Sequence, residues 1–189
     1  MPESTPPHTT SCTAFNYANL IASGDFNDVA QKCREVFRAD PNARLLIFDD
    51  STGEVIDVDL RRTPVRPVAD SQTKGTGRPK LGVVAREITL LPRHWEWLAT
   101  QPGGASVALR KLVEHAMKAN RDQDSLRRGQ EATYRFVSAM AGDEPGFEEA
   151  IRALFAGREQ KFNKRIRHWP ADVREYARKL AASAFTGGQ

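Results

Sequence analysis

The chain has 189 residues, of which 40% are hydrophobic, enough for one ordinary domain or two small ones with a buried core. The formal net charge is +4, but residues 1–60 hold 4 basic and 10 acidic side chains, whereas residues 61–189 hold 24 basic and 14 acidic ones. This composition excludes a wholly disordered chain, and the asymmetry predicts an acidic unit joined to a basic unit that meets a polyanion. The alternative is that the arginines of the basic unit's helices only form charged, solvent-exposed faces.

Metal, redox and membrane functions have no motif in this sequence. Cys12 and Cys33 have neither a CxxC spacing nor a neighbouring histidine pair, so we expect two reduced thiols and no zinc site. No apolar run approaches the roughly 20 residues that span a bilayer, and the first residues lack the pattern of a signal peptide. We therefore expect a cytoplasmic protein with no membrane partner, no bound metal and no cofactor.

The composition along the chain predicts five parts. They are a disordered leader (1–11), a small α+β domain (12–60), a basic linker (61–80), a strand-helix-helix element (81–120) and a C-terminal helical region (121–189).

The α+β domain has a predicted ββαββ-like order. Residues 13–22 predict a strand or a bent pair of strands, and apolar residues at helical spacing predict a helix over residues 26–38. Two further strands are predicted over residues 45–48 and 55–60. In the turn between them, residues 49–53, we expect Asp and Ser to bond local backbone groups and the glycine to take positive φ.

Residues 86–91, followed by Pro92 and two helices, resemble the ribbon-helix-helix fold of bacterial repressors. In that family two chains pair their strands into a ribbon that enters the major groove, and the second helix binds phosphate with its amino end. The resemblance implies a homodimer with Arg86 on the ribbon and Ser106 at the start of the second helix, where it also suits a helix cap. The alternative is that the strand and helices only build a core or a dimer interface.

The basic linker contains Gly77-Arg78-Pro79, which resembles the core of an AT-hook. The resemblance implies that Arg78 enters the narrow minor groove of A/T-rich DNA, with Lys74 and Lys80 beside it. A solvated linker is the alternative interpretation.

The first helix of the strand-helix-helix element, predicted over residues 92–101, contains two tryptophans that point in different directions. Trp95 and Trp97 are two residues apart, which is about 200° around a helix. We expect Trp95 to face the core together with Leu98, and we expect Trp97 to lie against a partner or another helix, which makes it a candidate interface residue. The alternative is that both tryptophans pack in the core.

Four helices are predicted after residue 120: residues 126–141, capped by Asp124 or Ser125, and residues 147–156, 159–167 and 171–185. The last two carry basic residues that suit a phosphate backbone: Lys161, Lys164, Arg165, Arg167, Arg174, Arg178 and Lys179. A charged, solvated face is the alternative.

Several segments together, LLIFDD, GRPKLGVV, LLPRHWEWLATQPGGAS and HWPADVREYARKLA, resemble an uncharacterised bacterial family defined as a domain of unknown function. This resemblance covers nearly the full length and implies a bacterial cytoplasmic protein without assigning an activity. No acid-base or nucleophile constellation is visible, so we predict no catalytic residue. The sequence-based hypothesis is a non-enzymatic, DNA-binding α+β protein, such as a transcriptional regulator. The alternative is a protein-interaction or adaptor module that does not bind nucleic acid.

Overall fold

The computed structural model of the chain describes residues 11–60, residue 84 and residues 86–185. The described residues up to 60 and from 121 onward form one compact unit, and those from 84 to 120 form a second. The predicted linker (61–80), with Lys74, Arg78 and Lys80, lies outside the described residues. So do residues 1–10 of the predicted leader, whereas Ser11 already belongs to the first strand.

The first unit opens with a four-stranded antiparallel sheet and one helix. The elements are β1 (Ser11–Asn16), β2 (Asn19–Asp25), α1 (Phe26–Ala39), β3 (Leu45–Asp49) and β4 (Val55–Ile56), and the strand order in the sheet is β2-β1-β3-β4. The α+β class and the ββαββ order are thereby confirmed. The bent pair expected near residues 13–22 is β1 and β2, which turn at Tyr17 with a φ of 52°.

The side chains of strand β1 alternate between the two faces of the sheet, and they are buried on both. Cys12 and Ala14 pack with Cys33 of α1 in a small apolar cluster on one face. Phe15 lies on the other face, in a larger cluster formed with the C-terminal helices, and the Thr13 hydroxyl is also fully buried. The sheet is therefore covered by α1 on one side and by a helical bundle on the other.

The prediction of a strand over residues 55–60 was too long. β4 ends at Ile56 and pairs with β3 through two residues only, Ile47 with Ile56 and Phe48 with Val55. Val58 and Leu60 still pack against the apolar cluster beside α1. The alternation of apolar and acidic residues correctly marked Ile56, Val58 and Leu60 as the partly buried positions, but a strand also needs a neighbouring backbone to complete its hydrogen bonds.

The second unit contains two helices, α2 (Pro92–Ala99) and α3 (Gly104–Ala119), joined through Gly103 at a φ of 86°. Residues 86–91, predicted to form a strand, pair with no strand in the described part of the chain, and their pairing with a second copy of the chain stays a prediction. The prediction that Trp95 faces a core was wrong, because its side chain is 42% exposed. Two short helices bury little surface, and within them only Leu98 and Ala108 are buried.

The C-terminal part of the first unit is a helical bundle. Its elements are α4 (Arg121–Ala141), α5 (Phe147–Phe155), α6 (Glu159–Arg165), a 3-10 turn (Ile166–His168) and α7 (Ala171–Phe185). The bundle and the bounds of α7 agree with the prediction. α4 begins five residues before the predicted start at 126, so Asp124 and Ser125 lie inside the helix and do not cap it. Asp122 and Asp124 near its amino end suit the helix dipole there.

An aromatic cluster joins the sheet to the bundle. The ring of Phe136 on α4 lies 5.5 Å from Phe15 of β1, 4.9 Å from Phe48 of β3 and 4.6 Å from Tyr176 of α7, measured between centroids. These edge-to-face and tilted contacts are the arrangements that aromatic rings prefer. The sheet and the bundle thus share one hydrophobic core. Among the described helices, none is long and apolar enough to cross a membrane.

Candidate functional site

The turn between β3 and β4 is held by its own side chains and by α4. The Asp49 carboxylate accepts hydrogen bonds from the backbone N–H of Ser51 at 2.7 Å and of Thr52 at 3.0 Å. Gly53 has a φ of 67°, and a Cβ there would overlap the backbone carbonyl of Ala132 on α4. The positive φ and the hydrogen bonds between Asp and local backbone groups are confirmed, whereas the Ser51 hydroxyl donates to the Asp49 carboxylate at 2.6 Å and not to a backbone group. The turn packs directly on the bundle.

Asp50, the next residue of this turn, binds four side chains from both ends of the chain. One carboxylate oxygen accepts hydrogen bonds from the Tyr176 hydroxyl at 2.6 Å and from the Thr13 hydroxyl at 2.7 Å. The other accepts from the Ser11 hydroxyl at 2.8 Å and from the Lys179 ammonium at 3.0 Å. A single carboxylate therefore links β1 and the β3–β4 turn to α7.

The pKa values of this network favour a structural role for the Asp50 carboxylate over a role in proton transfer. Burial raises the pKa of Asp50, but the hydrogen bonds from its four donors outweigh burial and hold that pKa below its usual range. Burial and the neighbouring Asp50 raise the pKa of Tyr176. Asp50 is consequently ionised and fully bonded while Tyr176 remains a neutral donor, so Asp50 is a poor general base.

A cleft of about 550 Å³ lies beside the Asp50 network, between α4 and α7. It is lined by Asp50, Ser51, Ser125, Arg128, Gly129, Ala132, Lys179, Leu180, Ala182 and Ser183. Ser125, Arg128, Gly129 and Ala132 recur at spacings of three and four residues and so share one face of α4. The small residues on that face let α7 approach closely, since a Cβ at Gly129 would overlap the Ser183 side chain.

A second cleft, of about 380 Å³, is strongly basic and lies between α5 and α6. Its lining comprises Glu149, Arg152, Ala153, Arg158, Lys161, Lys164 and Arg165. Arg152 is paired with Glu148 at 3.0 Å. The other four cations form no ion pair with any described residue. An arrangement of four unpaired cations against one lining carboxylate attracts anions.

The periodicity of α6 explains why this cleft is basic. Phe162 and Ile166 are buried in the bundle core, one helical turn apart. Lys161, Lys164 and Arg165 have the spacing of a second helix face, about 100° away from the buried one. These three cations were recognised in the sequence, whereas Arg158 was missed, because it precedes the predicted helix and carries no periodic pattern.

The two described residues predicted to bind DNA near the strand-helix-helix element are both exposed and lie in different local structures. Arg86 is exposed in a segment without regular structure. Ser106 is an exposed residue within α3, where Gly103 holds the capping position, so the prediction that Ser106 caps this helix was wrong. No hydrogen bond or ion pair joins Arg86 to Ser106. Trp97, the predicted interface residue, is 50% exposed on α2.

No pattern in the sequence indicated the Asp50 network. Tyr176 lies 126 residues from Asp50 along the chain, so no local spacing connects them. In the described residues, no group of three or more His, Cys, Asp or Glu side chains is placed to hold a metal ion.

Fold and site together define an α+β protein in which an antiparallel sheet and a helical bundle share a core beside a basic cleft. The chain belongs to a family described as "Uncharacterized protein conserved in bacteria (DUF2239)", whose model matches residues 11–181. The family resemblance inferred from the sequence is thereby confirmed. No curated protein and no solved structure matches the chain, and nothing in the comparisons supports a likeness to ribbon-helix-helix proteins.

Proposed function

We propose that this protein is a non-enzymatic DNA-binding protein, such as a regulator of transcription, and that it grips the phosphate backbone with the α5–α6 cleft. The observation that carries the proposal is a set of four cations in that cleft that form no ion pair with a described residue: Arg158, Lys161, Lys164 and Arg165. Cations already paired within a protein gain little from phosphate, whereas unpaired ones release condensed counterions from DNA when they bind.

Such contacts provide affinity without reading bases. The basic linker, with Lys74, Arg78 and Lys80, is proposed to add contacts in an A/T-rich minor groove and so to bias the binding site. A DNA-binding role also places the protein in the bacterial cytoplasm.

The test is fluorescence anisotropy with a labelled duplex, random or A/T-rich, at several salt concentrations. Four phosphate contacts predict that the affinity falls roughly 100-fold between about 50 and 200 mM salt. Replacing Lys161 and Lys164 by Ala should reduce the slope of log affinity against log salt by about 2. Both side chains are exposed on α6, so the fold is expected to survive the change.

Two further variants locate the binding surface, and each removes the same number of charges. Lys32→Ala with Arg38→Ala alters exposed residues of α1 in the acidic part of the chain and should leave the slope unchanged. Arg78→Ala with Lys80→Ala tests the linker and should weaken binding to A/T-rich DNA more than to random DNA. An equal loss in the α1 variant and the α6 variant would reject the α5–α6 cleft as the binding surface.

The second unit favours a different candidate function, a protein-interaction module that also forms homodimers. Its exposed large apolar side chains include Trp95, Trp97, Leu112, Val113 and Met117. Exposed apolar surface of this kind is typical of protein-protein contacts, and tryptophan is enriched at their centres. If the wild-type protein shows no salt-dependent binding to DNA, this candidate takes precedence.

A further inference from the structure

The cleft between α4 and α7 is lined by polar groups that have no side-chain partner among the described residues. Ser125 and Arg128 on α4 and Ser183 on α7 line it, and none of the three forms a side-chain hydrogen bond or ion pair with a described residue. Neighbouring Arg127 differs, since it pairs with Asp124 at 3.9 Å. Two hydroxyls and one guanidinium therefore remain as hydrogen-bond donors around one space.

The charge of this lining selects the ligand. Lys179 is paired with Asp50 at 3.0 Å, so their charges offset each other. Arg128 is left as the uncompensated charge, and its guanidinium can donate two parallel hydrogen bonds to a planar or tetrahedral oxyanion. The volume of about 550 Å³ falls within the range of small-molecule sites and is far too small to enclose a DNA duplex.

We propose that the α4–α7 cleft binds a small molecule through a phosphate or carboxylate group. Arg128 pairs with the anionic group, while Ser125 and Ser183 donate hydrogen bonds to its oxygens or to a neighbouring hydroxyl. The Asp50 network fixes the Lys179 side of the cleft. This site shares no lining residue with the α5–α6 cleft, and its proposed ligand is a small molecule and not DNA.

The experiment measures the thermal unfolding midpoint of the full chain with inorganic phosphate, and separately with acetate, while sodium chloride keeps the ionic strength constant. Bound ligand stabilises the folded state by mass action. At a concentration about tenfold above the dissociation constant, we expect the midpoint to rise by about 3–6 °C for a chain of this size. A rise with phosphate identifies a phosphorylated ligand, and a rise with acetate alone identifies a carboxylate.

Matched variants locate the bound anion. Arg128→Gln should abolish the rise, whereas Arg127→Gln, one residue away on the same helix, should retain it. Arg128 is exposed and pairs with no described residue, so its replacement is expected to leave the fold intact. General salting effects of phosphate are common to both variants and cancel in the comparison.

Three outcomes of the thermal unfolding experiments would overturn the proposal. They are no rise with either anion in the wild type, an equal rise in Arg128→Gln, and a rise lost in Lys161→Gln with Lys164→Gln instead. The affinity of Arg128→Gln for DNA separates the two sources of phosphate. Unchanged affinity supports a free small anion, whereas a loss comparable to that of the α6 variant makes the cleft part of the DNA surface and rejects the proposal.

Discussion

At the scale of single residues, the Asp50 carboxylate accepts four side-chain hydrogen bonds within the first unit. Its four donors come from β1 and from α7, and its side chain is only 12% exposed. Hydrogen bonds to an ionised acceptor are stronger than neutral ones, and buried donors that lose such a partner are costly. The exposed ion pair with Lys179 contributes less, because solvent screens it.

We expect Asp50→Asn to lower the free energy of unfolding by about 2 kcal/mol at neutral pH. The folded-state pKa of Asp50 is lowered, so its stabilisation is complete above the unfolded-state pKa of about 4 and is lost as the pH falls through the lowered folded value. Urea denaturation of wild type and variant should show a difference that is largest near pH 7 and shrinks below about pH 4.

Asp143→Asn is the control for this change, since Asp143 is exposed and forms no hydrogen bond or ion pair with a described residue. It should alter the free energy of unfolding by less than about 0.5 kcal/mol. If the effect of Asp50→Asn were the same at pH 3 as at pH 7, the ionised carboxylate would not be the stabilising group.

At the scale of elements, the β3–β4 turn connects the sheet to α4 through a close backbone contact at Gly53. The chain offers a second glycine with almost the same backbone conformation but without that contact. Gly53 and Gly157 have φ values of 67° and 65°, and a Cβ at Gly157 would meet nothing within 4 Å. Comparing the two positions separates backbone strain from packing.

Gly157→Ala should cost about 1 kcal/mol, the strain of a left-handed conformation in a residue that has a Cβ. Gly53→Ala adds overlap with the Ala132 carbonyl, so we expect it to cost at least about 2 kcal/mol more. Denaturant unfolding of both variants measures the difference. Equal losses at the two positions would show that the turn does not pack against α4.

At the scale of the whole molecule, the aromatic cluster makes the sheet and the bundle interdependent within the first unit. Phe48 belongs to β3, yet its ring packs on Phe136 of α4. The basic cleft lies on the bundle side of this core, and its lining comes from residues 149–165.

Phe48→Ala should therefore destabilise the bundle as well as the sheet, by about 3–5 kcal/mol. Trp169, which is buried in the bundle, reports this change by fluorescence once Trp95 and Trp97 are replaced by Phe. The expected result is a lower denaturation midpoint at Trp169. An unchanged midpoint would mean that sheet and bundle unfold independently.

The sequence by itself determined the features that depend on neighbouring residues. Helical spacing predicted α7 with its observed bounds and the burial of Leu98, because a helix closes its hydrogen bonds within four residues. The three cations of α6 were likewise recognised as basic residues of a predicted helix. Turn chemistry likewise predicted the β3–β4 turn.

Only the tertiary structure decided the features that depend on distant partners. It ended β4 at Ile56, because a strand requires hydrogen bonds from another segment. It also brought Tyr176 and Thr13 to Asp50, and Ser125 opposite Ser183. Such contacts join residues that are remote along the chain, and their positions follow from packing of the whole core, which no local pattern encodes.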